Sequence, residues 1–329
     1  MLAVQVRKPG PIEAHAVEEM PDLEAGPGEV LVDVKAAAVN YPDLLVMTGR
    51  YQTIPPLPFT PGKDAAGVVR CVGEGVTRVV PGDRVILHAE YGTFATQALA
   101  REDQCLPLPE DMGFTDAVAL GLAAQTAWFA LLERGDFEPG DRVLVTGASG
   151  AVGQAAVQVA CALGGIVLAA ASNVERARDL LGECGCSFVD LSVLNLRDSL
   201  RQQVHAITGG QGVDVVIETL GGDAFDASLR AMAWCGRIVT VGFASGRIPE
   251  IKAGHLLVKN IAALGLQWTD YRDRQPQLVE RAHAALAALW ARGALRPRVM
   301  KTLPMSDFAE AFRLIDARQA NGRLVLTME

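Results

Sequence analysis

Arg142 Val143 Leu144 Val145 Thr146 Gly147 Ala148 Ser149 Gly150 Ala151 Val152 Gly153 is the stretch that decides the fold. A short β-branched run, Arg142–Thr146, meets glycines at 147, 150 and 153 and then a helix-like segment carrying Val157, Val159 and Ala160. A strand that turns on glycine into a helix leaves the first N–H groups of that helix without intrahelical partners, and these can bind an anion. Gly150 lets the backbone approach such a group without a Cβ, and Gly153 lets helix and strand pack closely. Ala148 replaces the first glycine of the usual GxGxxG spelling, and the geometry survives that change.

Outward from this loop, from Asp141 to about Trp268, short apolar runs alternate with amphipathic segments. Arg142–Thr146, Ile166–Ala171, Ser187–Val189, Val213–Glu218, Arg237–Val241 and Ile261–Leu266 read as six strands rich in Val and Ile. Leu196, Leu200, Val204 and Ile207, spaced by four, four and three, predict a helix that stops at Gly209 and Gly210. Strand and crossover helix in repetition specify an α/β fold with a doubly wound parallel sheet, and the glycine loop inside it points to a dinucleotide. No charged side chain lies between Thr146 and Val174, long enough to pass for a membrane span, but Gly164 and Gly165 divide the stretch into helix and strand.

A chain of 329 residues predicts a second domain, at ~100 to 200 residues per domain. Before the sheet, Val30, Val32 and Val34 alternate, and turns at Pro27 to Gly28, Gly73 to Gly75 and Pro81 to Asp83 separate strands such as Gly67–Val72 and Arg84–Leu87. This part reads as antiparallel β structure. After Trp268 a helix is predicted from about Pro276 to Arg292, with Leu278, Ala282, Ala285, Leu286 and Leu289 on one face. A second, from Ser306, buries Phe308, Phe312 and Ile315, and a turn at Asn321 and Gly322 leads into a last strand, Leu324–Thr327. The expected arrangement is a nucleotide-binding domain, 123–268, inserted between 1–122 and 269–329 of a mostly β domain, with a cleft between the two.

Composition narrows the function classes. Half of the residues are hydrophobic and 21% are charged, which excludes disorder, and a net charge of -8 opposes binding to a phosphate backbone. Met1 to Gly10 holds no apolar block of signal-peptide length, so a cytoplasmic location is expected. The cysteines (71, 105, 161, 184, 186 and 235) form no CxxC pair and the histidines (15, 88, 205, 255 and 283) no HxxxH. Buried free thiols and surface histidines are expected, with no disulfide framework and no metal site.

The acidic residue that would bind an adenosine 2′-hydroxyl belongs about twenty positions beyond the glycine loop. Ser172 and Asn173 stand there, with Arg176 close behind, and neutral groups beside a guanidinium favour a 2′-phosphate. NADPH is therefore expected over NADH. Arg176 also fits an exposed helix position paired with Glu175 or Asp179.

A short-chain dehydrogenase fails two tests. Its TGxxxGxG spacing needs glycine where Ala151 stands, and none of Tyr41, Tyr51, Tyr91 and Tyr271 has a lysine four residues later. Other segments occur in order along the chain: Gly26 Pro27 Gly28 Glu29 Val30; Val39 Asn40 Tyr41 Pro42 Asp43; Gly49 Arg50 Tyr51; Pro56 Leu57 Pro58 Phe59 Thr60 Pro61 Gly62; and Val80 Pro81 Gly82 Asp83 Arg84 Val85. After the glycine loop come Gly221 Gly222 Asp223, the run from Trp234 Cys235 Gly236 Arg237 Ile238 Val239 to Gly242 Phe243 Ala244, and Leu257 Val258 Lys259 Asn260. Over essentially its whole length the chain resembles the medium-chain dehydrogenase/reductase superfamily, and within it the zinc-independent quinone oxidoreductases.

The resemblance implies a six-stranded Rossmann sheet inserted into a GroES-like catalytic domain, a homodimer, NADPH as cofactor, and no membrane partner. Zinc alcohol dehydrogenases of this superfamily carry a Cys before the first catalytic-domain helix and a GHE motif after the PG turn. Here Asn40 lies in the first region, Gly62 Lys63 Asp64 replaces the second, and Cys105 is alone where a four-cysteine zinc loop would be. Without a Lewis acid an alcohol's hydride is hard to remove, so the implied reaction reduces an electrophilic carbon of a quinone or conjugated enone. Lys63 and Asp64 are expected to form a salt bridge in the vacated zinc position.

For individual residues, the resemblance implies that Asn40 and Thr126 face the nicotinamide and ribose, and that Phe243 and Trp268 wall the ring. Ser149, Gly150, Ala151, Val152 and Gly153 would take the pyrophosphate, and Leu220, Gly242, Ala244 and Asn321 would add cofactor contacts. Tyr51 would face substrate and donate to its carbonyl oxygen; it equally fits packing beside the proline-rich loop. Asn40 also fits a turn or cap before Pro42 and Asp43. Two other functions stay open: an enoyl-thioester reductase, and an NADPH-binding or nucleic-acid-binding protein of little turnover, whose nucleic-acid form the acidic balance disfavours.

Overall fold

The alternation between 142 and 268 folds as six parallel strands: β1 (Arg142–Thr146), β2 (Ile166–Ala171), β3 (Ser187–Asp190), β4 (Val213–Glu218), β5 (Met232–Thr240) and β6 (Ala262–Gly265). They lie in the order β3-β2-β1-β4-β5-β6. Helices α1 (Ala151–Ala162), α2 (Val174–Leu181), α3 (Leu196–Ile207), α4 (Gly222–Ala231) and α5 (Ala253–Lys259) make the connections. Covered strands read as unbroken apolar runs, and Val143, Leu144 and Val145 of β1 and Val215, Val216 and Ile217 of β4 are all fully buried. The order reverses between β1 and β4, the point outside whose carboxyl ends doubly wound sheets bind ligands.

The computed structural model describes residues 1–328 and divides into two units. Ala123–Tyr271 and Ala284–Arg296 form the unit built on the parallel sheet; Met1–Leu122, Arg272–His283 and the residues from Pro297 onward form the other. In the latter, Val299–Pro304, Arg323–Thr327, Glu29–Ala38, Asp64–Val72, Arg84–His88 and Cys105–Pro107 lie side by side, and Gln97–Arg101 also pairs with Glu29–Ala38. All these pairings are antiparallel except that of Val299–Pro304 with Arg323–Thr327. Val30, Val32 and Val34 pack into a core with Phe94, Phe308 and Phe312, each apolar side chain contributing roughly 2 kcal/mol. The Phe94 and Phe312 ring centroids stand 6.0 Å apart.

Several expectations change. Residues 269–271 and 284–296 belong with the parallel-sheet unit, because the apolar periodicity of the helix Pro276–Ala291 marks an inward face without naming the core it meets. A further helix, Trp268–Arg274, precedes it, hidden in sequence by the charges of Asp270, Arg272, Asp273 and Arg274. Strand β5 starts at Met232 rather than Arg237, its register against β4 shifting between Met232 and Arg237 around the left-handed backbone of Cys235 (φ 61°). His15 and His88 are buried and Cys235 is exposed, against the expected placement of thiols and histidines. The stretch from Phe114 to Arg134 is long and apolar enough to cross a membrane, yet 67% of its most apolar window is buried inside the protein, as in a core helix.

Candidate functional site

The glycine loop sits at the carboxyl end of β1. Gly147 has φ +63°, and a Cβ there would stand 2.5 Å from Thr219 Oγ1. A Cβ at Gly153 would stand 2.2 Å from Gly147 O, so close helix–strand contact requires glycine at this position. α1 opens at Ala151 behind Gly150, which brings no capping side chain, and Gln154 Nε2 ties the helix back to Ser149 O at 2.8 Å. The first turn formed by Gly150, Ala151, Val152 and Gly153 is thus a small, uncharged cradle with N–H groups suited to an anion.

Glu218, fully buried at the carboxyl end of β4, organises the neighbouring turn. Its carboxylate accepts Leu220 N–H at 3.0 Å, Gly221 N–H at 2.8 Å and the Thr146 hydroxyl at 2.9 Å. Burial raises its pKa, and these three donors oppose the rise. Thr219 O accepts Ala244 N–H at 3.1 Å and Leu220 O accepts Ser245 N–H at 2.8 Å. Leu220, Gly242, Phe243 and Ala244 are thereby drawn to the turn that adjoins Gly147. The sequence reading missed Glu218, although an acid closing an apolar buried strand was the available signal.

Ser172 and Asn173 lie exposed at the carboxyl end of β2. Asn173 caps α2 by accepting Arg176 N–H at 2.9 Å, so its side-chain carbonyl is engaged locally. Burial lowers the pKa of the half-buried Arg176. Trp268 is buried where the chain leaves β6, and Thr126 is half-buried in the helix Phe114–Trp128.

The other unit holds Asn40, Tyr51 and Asn321. Asn40 Nδ2 donates to Asp64 Oδ1 at 2.7 Å and to Ala38 O at 3.2 Å, while its Oδ1 accepts Arg323 Nη2 at 2.9 Å. Both amide protons are committed, and a ligand can find only the remaining lone pair of Oδ1. Asn40 N–H also donates to Asp43 Oδ2 at 2.9 Å, which makes Asn40 the residue that starts the helix Tyr41–Met47. Asp64 Oδ2 accepts Leu122 N–H at 2.9 Å where Gly121 breaks the helix Phe114–Trp128; a Cβ on Gly121 would lie 2.2 Å from that oxygen. Burial raises the Asp64 pKa against the pull of the Arg323 charge. Asn321 is exposed on the turn before Arg323–Thr327, its N–H donating to Met300 Sδ at 3.1 Å.

Lys63 and Asp64 do not pair with each other, contrary to expectation. Lys63 Nζ meets Glu90 Oε1 at 2.6 Å and the Glu90 carbonyl at 3.2 Å, and lies 5.1 Å from the centroid of the Tyr51 ring. Consecutive residues entering an extended strand point to opposite sides, so the two charges found different partners, Glu90 for one and Asn40 with Leu122 for the other. Glu90 and Arg323 carried no recognisable signal in the sequence. These positions do not fit zinc: an ion-paired ammonium has no lone pair to give, and Asp64 is committed to protein donors. Among the described residues no group of three His, Cys, Asp or Glu side chains could hold a metal ion.

A glycine cradle at the switch point of a doubly wound sheet, in a chain that also builds a mostly β unit, defines a nucleotide-dependent oxidoreductase fold. Residues 26–130 match the family described as alcohol dehydrogenase GroES-like domain, and 151–284 the family described as zinc-binding dehydrogenase. The chain is 34% identical over 313 residues to quinone oxidoreductase-like protein 2 of Mus musculus, covering 95% of this chain and 89% of the relative. It is similar to the crystal structure of Escherichia coli quinone oxidoreductase complexed with NADPH, with a TM-score of 0.90 and 26% identity over 99% of this chain and all of that one. It is also 32% identical over 330 residues to a mycocerosic acid synthase-like polyketide synthase of Mycobacterium tuberculosis, covering 99% of this chain but 15% of that protein. The chain belongs to the quinone-oxidoreductase-like family of the medium-chain dehydrogenase/reductases.

Proposed function

We propose that this protein reduces a quinone or conjugated enone with NADPH and without zinc. The observation that carries this reading is a tight glycine cradle, at Gly147 to Gly153, in a chain whose zinc-ligand positions are filled by the Lys63–Glu90 ion pair and the Asn40–Asp64 hydrogen bond. Bound NADPH supplies the hydride. Ser149 to Gly153 hold the pyrophosphate through main-chain N–H groups, with Ser172 and Arg176 taking the 2′-phosphate and Asn173 holding the start of α2 in place. Thr126, Leu220, Gly242, Phe243, Ala244, Trp268 and Asn321 add cofactor contacts, and the two aromatic residues keep water from the reacting ring. Asn40 offers one acceptor lone pair, and Tyr51 donates to the substrate's carbonyl oxygen as charge develops there.

The relation to a polyketide synthase favours one second reading, an enoyl-thioester reductase acting on the same kind of electrophilic carbon. NADPH oxidation measured with benzoquinones, naphthoquinones, enones and an enoyl-CoA tests both. Turnover of quinones or enones supports the first reading and turnover of the thioester alone the second. Cofactor binding with no oxidation on any of them overturns both and leaves a binding protein.

We further propose a cytoplasmic homodimer. Free thiols at all six cysteines support a reducing compartment. The open edge of β6 is uncharged from Ile261 to Gly265, and Trp234 (74% exposed), Leu257 and Val258 place apolar surface on β5 and α5. An uncharged edge can pair with its own copy about a two-fold axis. Light scattering behind gel filtration reads this directly, and the mass of a single chain contradicts it.

A further inference from the structure

We propose that Lys63 is a positioning residue for the Tyr51 phenol, an inference that rests on the reading of Tyr51 as the group facing substrate. The Lys63 side chain is only 3% exposed, and a buried ammonium is costly unless its protons are met. Glu90 meets two, through Oε1 at 2.6 Å and its main-chain carbonyl at 3.2 Å. Arg272 Nη2 stands 3.5 Å from Glu90 Oε2 and 2.7 Å from Asp273, so the carboxylate that clamps the lysine is itself held. The ammonium also stands over the Tyr51 ring, 5.1 Å from its centroid and within reach of a cation–π attraction.

Tyr51 needs such a partner because its own backbone gives little. It lies between the helix Tyr41–Met47 and the strand Asp64–Val72, in a stretch without helix or named strand, and its half-buried ring packs against the apolar core of its unit. Lys63 over the ring restricts the directions the phenol can take, and it does so from a side chain fixed at both ends. A hydrogen-bond donor held in place before hydride transfer need not be reoriented as the carbonyl oxygen gains charge.

The test compares Lys63→Met, Lys63→Arg, Glu90→Gln, Tyr51→Phe and the double variant Lys63→Met with Tyr51→Phe. Steady-state reduction of a naphthoquinone is measured along with NADPH affinity and melting temperature. Fluorotyrosine incorporated at the four tyrosines reports the Tyr51 environment by NMR without turnover. Lys63→Met should lower kcat about tenfold, change KM for NADPH less than about twofold, and move the Tyr51 resonance. Arginine keeps both the ion pair and the ring contact, so Lys63→Arg should recover most of the loss. Glu90→Gln should reproduce part of it, and does not depend on the methionine variant folding. In the Tyr51→Phe background, Lys63→Met should cost nothing further.

A normal kcat and an unmoved resonance in Lys63→Met, with Tyr51→Phe impaired, overturn the positioning role and keep Tyr51 at the substrate. An equal loss from Lys63→Met with and without the Tyr51 hydroxyl also overturns it. An unimpaired Tyr51→Phe removes the underlying reading of Tyr51, and the proposal with it.

Discussion

Asn40 Nδ2 donates to Asp64 Oδ1 across 2.7 Å in the interior of the protein, and the amide's own oxygen, Oδ1, accepts from Arg323 and so closes the cluster. Removing one member of a buried charge cluster leaves another charge uncompensated. Asp64→Asn should therefore lose about 3–5 kcal/mol of stability, measured by urea unfolding, since Arg323 keeps its charge without the carboxylate. A loss below about 1 kcal/mol would contradict this and show that the 6%-exposed Arg323 is compensated without Asp64, Asp43 being the other buried carboxyl whose charge reaches it.

Cofactor choice turns on Arg176. NADPH should bind at least about tenfold more tightly than NADH, or about 1.4 kcal/mol, and Arg176→Ala should erase most of that difference. Titration calorimetry checks both. Equal affinities in the wild type would remove the 2′-phosphate from this end of β2.

Gly153→Val adds a branched side chain where even a Cβ would stand 2.2 Å from Gly147 O and 2.8 Å from the Ala148 Cα. The start of α1 must move away from β1, and NADPH binding should fall below detection in a protein whose circular dichroism still shows most of its secondary structure. A folded variant with wild-type NADPH affinity would place the pyrophosphate elsewhere.

Burial lifts the Asp43 carboxyl from 3.8 to about 7, against the pull of the Lys63 charge and the Asn40 N–H. A carboxyl whose pKa is higher folded than unfolded contributes stability that is complete below the unfolded value and lost as pH rises through the folded one. The melting temperature of Asp43→Asn minus that of the wild type should accordingly increase from about pH 4 to pH 7 and then level off. The difference is the quantity to follow, because burial holds His88 down to about 3 and its contribution runs the other way, disappearing as pH falls below 6.5. A flat difference across this range would mean that Asp43 is ionised throughout.

β1, β2 and β4 are legible to the residue because buried parallel strands are continuous apolar runs, and α3 is legible as a helix because it carries a regular stripe that stops short of two glycines. The glycine loop is legible because its chemistry is local. The cluster of Asn40, Asp64 and Arg323 is not, since its members lie 24 and 259 positions apart in sequence and only sheet pairing brings them together. Lys63 was noticed, but given the wrong partner, because Glu90 lies 27 residues away. Sequence spacing finds sites made from one turn of chain and misses those made by tertiary contact.

The central claim, metal-free reduction by NADPH, is tested most directly by dialysing the purified, untagged protein against a chelator, analysing it for metal, and following NADPH oxidation with a naphthoquinone. The account predicts unchanged stability and an unchanged rate in protein free of zinc, because Lys63 and Asp64 are already committed to protein partners. Near-stoichiometric zinc, with activity lost on dialysis and restored by adding zinc, would contradict it.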